Sequence, residues 1–373
     1  MSESETKNLA ASSGSTIFKE IASWKLEAKL EDNSRYFRQI PEVNQIEDGS
    51  KCYVIGRKGT GKTAISEFIL QNKSYNYFAD KLSFKNFPFN DLYALKNDRF
   101  THPNEYITIW KYIIYSSIAQ MMSKNESINT ELTDRLKEVY KETLANSLSR
   151  TISKWTSKAF SLNILGTGFN VSASNPPSPN NASWIDRVEI LEDFIIENID
   201  ASSYYVIFDE LDEDYTAIVD NDAKNHSYLA LLIGLFKAVQ DIKSIFPSQK
   251  YNILPVVFLR DDIYDLLTDS DKTKWSDLRI DINWNPEKIK DLLAFRISRA
   301  LSPESTAMNF GPAWGLLFSN KEVSVGHLQL KSMNIFDYIT RSTLRRPRDY
   351  IAYMRLCAEM STNSENNITG LSP

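Results

Sequence analysis

The residues Gly56-Arg57-Lys58-Gly59-Thr60-Gly61-Lys62-Thr63 fill the spacing G-x-x-x-x-G-K-[ST] without a mismatch. That spacing suits a polyphosphate. Glycine lets the backbone reach positive φ and approach an anion closely. Successive N–H groups then turn inward as an anion nest. A helix opening on the last residues adds its positive end. Lys62 would reach the β- and γ-phosphates and the Thr63 hydroxyl would ligate Mg²⁺. Ala64 completes the nucleotide-binding set. Glycine is otherwise scarce, with 12 in 373 residues, roughly half the usual share. A chain that spends little glycine and concentrates it here has a specific demand at this loop.

A second constellation is the apolar run Val206-Ile207-Phe208 ending in Asp209 and Glu210. A carboxylate at such a strand end can hold Mg²⁺ through its water shell, and the next one can orient the attacking water. Asp209 is assigned the first role and Glu210 the second. Asp212, Glu213 and Asp214 extend the acidic run, either as a solvated turn or as partners for an arginine or lysine. A further apolar run, Leu254 to Leu259, ends in Arg260. A guanidinium there is placed to detect a γ-phosphate through charge-assisted hydrogen bonds. The alternative is a salt bridge to Asp261, Asp262 or the Asp209 cluster. Arg341, Arg345, Arg346, Arg348 and Arg355 form a late concentration of positive charge. Arg346 and Arg348, at the start of an expected helix with Pro347 at an early position, are the candidates for closing on phosphate. The other readings of this cluster are a nucleic-acid face or a structural role.

The elements that must carry these residues follow from apolar periodicity. Strands are expected over Cys52–Ile55, Lys81–Phe87, Tyr204–Phe208, Asn252–Leu259 and Leu278–Ile282. Helices are expected over Ile17–Leu30, Thr63–Leu70, Asn104–Ser123, Thr130–Leu148, Trp184–Ile199, Ser227–Ile245 and Pro286–Leu301. Strands alternating with helices imply an α/β core on a parallel sheet. Beyond about residue 302 the pattern is helical, with no clear strand. The expected organisation is a disordered tail over 1–15, a core over 16–302 and a helical lid over 303–360. A polar tail over 361–373 completes it. A proline-interrupted polar stretch, 161–183, reads as an insert in the core. Gly166 and Gly168 in that insert, and Gly311 and Gly315 at the lid entrance, are the expected points of motion.

Composition narrows the function. The net charge of −5 argues against a basic nucleic-acid coat, although a local patch could still bind phosphate. The two cysteines, Cys52 and Cys357, form no metal-binding pair, and the histidines are far apart. The N-terminus does not read as a signal peptide, and no run approaches the length of a membrane span. A cytoplasmic protein is expected.

The segments YVIGRKGTGKTAI, FDELDEDY, VVFLRDDIYDLL and RRPRDYI together resemble a group of bacterial P-loop ATPases related to the AAA+, STAND and KAP divisions. The resemblance spans roughly residues 35–356. It implies an ASCE or AAA+-like P-loop fold, with a parallel sheet flanked by helices and a C-terminal helical lid. It also implies ATP and Mg²⁺ as ligands, Lys62, Glu210, Arg260, Arg346 and Arg348 as the catalytic set, and a homo-oligomer. Members often act in phage defence. This chain shows neither the repeat array of STAND proteins nor the membrane spans of KAP proteins, which suggests a separate effector or sensor protein. The first expectation is an ATP-hydrolysing switch or assembly ATPase that controls a partner. The alternative is a nucleic-acid-dependent motor or loader using the arginine cluster. A small-molecule kinase is disfavoured by the acidic strand end. A GTPase is disfavoured because no N-K-x-D occurs, and an ABC ATPase because no LSGGQ-like signature does.

Overall fold

The computed structural model describes residues 16–85, 87–140, 148–157, 183–212, 223–318, 322–327 and 330–363. The expected tail 1–15, nearly all of the insert 161–183, most of the tail 361–373, and Glu213 and Asp214 lie outside them. The chain divides into two compact units, one of residues 41–55 and 72–281, the other of residues 1–40, 56–71 and 282–373.

The strands are β1 (Tyr53–Ile55), β2 (Tyr77–Ser83), β3 (Ser203–Asp209), β4 (Ile253–Leu259), β5 (Arg279–Asp281), β6 (Glu322–Val325) and β7 (Lys331–Asn334). The helices that bear on the site are α1 (Lys62–Leu70), α2 (Ile107–Met122), α3 (Trp184–Asn198), α4 (Ala223–Ile245), α5 (Pro286–Leu301), α6 (Phe310–Gly315), α7 (Ile335–Arg341) and α8 (Pro347–Asn363).

The first unit holds the sheet. Its strands run β2-β3-β4-β1-β5, with every neighbour parallel. Parallel neighbours need long crossovers, and the helices between the strands supply them. Strands covered on both faces read as continuous apolar runs, and β3 and β4 do so. Helix α2 is apolar almost all round, with Ile109, Trp110, Ile113, Ile114 and Ile118 buried. Such a helix belongs inside, and it packs against β2, β3, α3 and α4. Helix α3 opens on a capping box, in which Ser183 Oγ accepts from the Asp186 N–H and the Asp186 carboxylate accepts from the Ser183 N–H.

The second unit has its own core, built from Trp24, Tyr36, Ile289, Leu293, Ile297, Trp314, Phe336 and Tyr350. Helix α5 starts where expected, with Asn285 Oδ1 accepting from the Lys288 N–H and Pro286 in the first turn. Its buried face shares a core with Trp314 and Phe336. One of the divisions between the units falls at Ile282. Deep in this unit the Arg296 guanidinium lies 4.5 Å from the Trp24 ring and 4.6 Å from the Tyr36 ring, and pairs with Glu31.

Four expectations shift. The strand placed at 81–87 is β2, over 77–83. Phe84 still donates its N–H to the Asp209 carbonyl of β3 at 3.1 Å, whereas Phe87 and Phe89 continue the apolar pattern because they pack with it in an aromatic cluster. The first helix ends at residue 22, and Ala28–Leu30 is a separate 3-10 turn. The helix expected over 130–148 appears as Thr130–Val139 and Leu148–Trp155, with 141–147 outside the described residues. The C-terminal region is helical but also contains the antiparallel hairpin β6–β7. β6, Glu-Val-Ser-Val, does alternate, with Val323 partly buried against this unit's core, but four residues, paired with the polar strand Lys-Ser-Met-Asn, make too short a run to stand out from the helical pattern around it. Among the described residues, no helix is long and apolar enough to cross a membrane.

Candidate functional site: a glycine loop and an acidic strand end

The loop 56–63 leaves the C-terminal end of β1. Gly59 has φ +88° and Gly61 φ +96°. Gly56 needs its missing side chain for another reason, since a Cβ there would lie 2.9 Å from Thr60 Oγ1 and 3.2 Å from Ile282 Cβ.

Every carbonyl from 56 to 60 is taken by a donor of the same unit. The Lys62 ammonium donates to Gly56 O at 2.6 Å and to Arg57 O at 3.1 Å. Thr60 Oγ1 also donates to Arg57 O, at 2.8 Å. Arg346 donates to Lys58 O at 3.1 Å, the Arg348 N–H to Gly59 O at 3.5 Å, and Trp284 Nε1 to Thr60 O at 2.9 Å. The N–H groups of Lys58, Gly59 and Gly61 find no acceptor among the described residues. With its carbonyls committed and these amides uncommitted, at the N-terminus of α1, the loop presents partial positive charge. Arg57 and Lys58 are exposed, Thr60 is buried, and Lys62, Thr63 and Ala64 are half-buried.

The two late arginines have different surroundings. Arg346 is committed to Asp349 through Nε and NH2, both at 3.1 Å, while its NH1 reaches the loop. Asp349 is held in turn by the Leu344 N–H at 3.0 Å. Arg348 has its Cβ 3.4 Å from where a Gly59 Cβ would stand. It is exposed, and its guanidinium has no partner among the described residues. Arg341 and Arg345 are exposed as well.

In the sheet unit, β3 delivers Asp209 to the C-terminal edge, 3% exposed. Its Oδ2 lies 2.9 Å from the Lys81 ammonium, and its Oδ1 accepts from the Glu210 N–H at 2.9 Å. Glu210 stands at φ +60°, a conformation that costs a non-glycine residue energy. Its carboxylate accepts from Ser83 Oγ. Lys81 and Ser83 come from β2, whose register sets Ser83 opposite Asp209.

Arg260 follows β4 and pairs with Asp262, Nε to Oδ1 at 3.0 Å, and with Asp212 at 3.4 Å. The salt-bridge alternative is thus present. The Asp262 hydrogen bonds push the Arg260 guanidinium further up. For the Asp262 carboxyl, burial works against ionisation, but the Arg260 hydrogen bonds and charge outweigh it and hold the group below the usual range.

Lys81, Ser83, Trp284 and Asp349 were not found from the sequence. One signal for the first two was available. A lysine and a serine two apart in a strand point to one face, and a lysine in a covered sheet needs a carboxylate. Trp284 and Asp349 had no local signal, because their partners lie far away or within a turn. Cys52 is inert, its thiol pushed up to about 12 by burial.

A family model described as a FunZ-associated C-terminal helical domain matches residues 287–370. No curated protein and no solved structure matches the chain.

Proposed function

We propose that this chain binds ATP with Mg²⁺ on the 56–63 loop, hydrolyses it, and acts as a switch or assembly ATPase on a separate partner protein. The observation that carries the reading is the loop itself, with its carbonyls committed, its amides uncommitted and Gly59 and Gly61 at positive φ. The residues fit the ligands. A buried carboxylate that already holds a cation, Asp209, suits a metal. Among the described residues no cluster of acids and histidines could hold a metal alone. Mg²⁺ takes one or two protein ligands and the rest from phosphate and water.

The bound nucleotide supplies the phosphoanhydride to be cleaved and the metal supplies charge neutralisation. Lys62 exchanges the Gly56 and Arg57 carbonyls for phosphate oxygens. The Thr63 hydroxyl would ligate the metal on the loop, and the sequence pattern assigns the Asp209 carboxylate the same role. Glu210 orients a water and accepts its proton as the water oxygen bonds to the γ-phosphorus and ADP leaves. Arg348, with its guanidinium uncommitted, serves as the phosphate-sensing arginine, while Arg346 braces the loop. Arg260 answers the γ-phosphate by leaving Asp212 and Asp262. The lid role of 303–360, a homo-oligomer and a place in antiviral defence rest on the resemblance, and a FunZ-associated domain fits a setting beside another protein.

Lys62→Ala should abolish nucleotide binding, and Glu210→Gln should bind ATP normally and stop turnover. ATP hydrolysis by Lys62→Ala at the parent rate would overturn the reading. The exposed Arg341, Arg345 and Arg348 favour a second reading, a nucleic-acid-dependent ATPase. Stimulation by DNA or RNA that falls with salt would support it.

A further inference from the structure

The acidic strand end holds a cation of its own. Lys81 on β2 places its ammonium 2.9 Å from Asp209 Oδ2, with the two side chains 9% and 4% exposed. The pairing is a diagonal of the sheet. Lys81 stands opposite Ile207 and Ser83 opposite Asp209, so Lys81 reaches across to the residue two further along β3. The other oxygen, Oδ1, is occupied by the Glu210 N–H. Each oxygen thus already carries a donor, and a second positive charge brought to the carboxylate meets the first.

We propose that Lys81 is a built-in competitor for the metal. It neutralises Asp209 when no divalent cation is bound and must give up Oδ2 when one is. The inference rests on the reading of Asp209 as the metal carboxylate. Two charges this close inside a protein interact strongly, and a buried carboxylate left alone would be costly. Lys81 thus balances the Asp209 charge in the empty state, and sets how much metal is needed to load the site. Because Ser83, two residues along the same strand, donates to Glu210, a movement of β2 that releases Lys81 also reaches the hydrogen bond that holds Glu210.

The test is Mn²⁺ affinity, read by electron paramagnetic resonance with a non-hydrolysable ATP analogue. The parent, Lys81→Met, Lys81→Gln and Asp209→Asn are compared, and analogue affinity in EDTA is measured alongside. Both Lys81 variants should bind Mn²⁺ about ten-fold more tightly than the parent, and their thermal midpoints should rise more on metal addition. Their EDTA affinity for the analogue should be unchanged. Equal or weaker Mn²⁺ binding overturns the proposal. So does loss of analogue binding in EDTA, which would make Lys81 a phosphate ligand. Should both variants fail to fold, amine labelling of the parent decides. Lys81 should label faster with Mn²⁺ and analogue than with analogue alone, and an unchanged rate overturns the proposal. If Asp209→Asn binds Mn²⁺ like the parent, it is the metal assignment that fails.

Discussion

Gly61 offers the sharpest test of the loop. It precedes α1 at φ +96° and ψ 13°, a left-handed conformation. A Cβ added there would meet nothing within 4 Å. Gly61→Ala therefore introduces no clash, and its whole cost is backbone strain. That strain is about 1–2 kcal/mol for an L-residue in this region, or roughly 5–30-fold in the population that keeps the loop closed. Because the amides around Gly61 face the ligand only in that conformation, affinity for a fluorescent ATP analogue should fall by a similar factor, both in EDTA and with Mg²⁺. Asparagine tolerates the left-handed region better than alanine, so Gly61→Asn should fall between the parent and Gly61→Ala. Gly311→Ala is the control, since that glycine has ordinary backbone and nothing within 4 Å. Anisotropy titrations measure the affinity and thermal melts follow the fold. If Gly61→Ala binds within two-fold of the parent, the argument from backbone geometry is wrong.

Two further outcomes concern stability. Asp80 is only half-buried as a residue, but its carboxyl is enclosed and accepts from Ser117 Oγ at 2.7 Å, and burial pushes it up. A raised acid stabilises the fold fully below its unfolded value near 3.8 and loses that contribution as pH rises through the folded value. Asp80→Asn should therefore shift the urea midpoint upward at pH 7–8, with the gap to the parent closing toward pH 4. For the buried Arg296–Glu31 pair, removing one partner strands the other charge. Arg296→Met should cost about 3–5 kcal/mol in urea unfolding, and Arg296→Met with Glu31→Met should cost less than the two single losses added.

Some features were legible because their cause is local. The spacing of Gly56, Gly59, Gly61, Lys62 and Thr63 is a backbone requirement written into consecutive residues. The apolar runs of β3 and β4 show that a parallel sheet is covered on both faces. Helix α5 starts at Pro286, where apolar periodicity placed it, and the Asn285 cap adds to that start. Other features were not legible. The aromatic run after β2 mimics a strand because burial and pairing leave the same apolar trace. The β6–β7 hairpin leaves only a faint one, because its strands are four residues long and only β6 turns an apolar residue, Val323, to the core. The packing of α5 with Trp24 and Tyr36 was not legible either, because those partners stand at the other end of the chain.

The sequence by itself determined the α/β alternation, the glycine loop and the acidic end of β3. Each depends on neighbours in the chain, through backbone conformation or periodicity. Only the tertiary structure decided which side chains meet them. It set Lys81 on Asp209, Ser83 on Glu210, Trp284 on the Thr60 carbonyl and Arg346 on Asp349, and left the Arg348 guanidinium without a partner among the described residues. Most of these pairings depend on strand register and on segments distant in the chain. The Arg346–Asp349 pair is close in sequence, yet its geometry and its reach to the loop are set by the turn that opens α8.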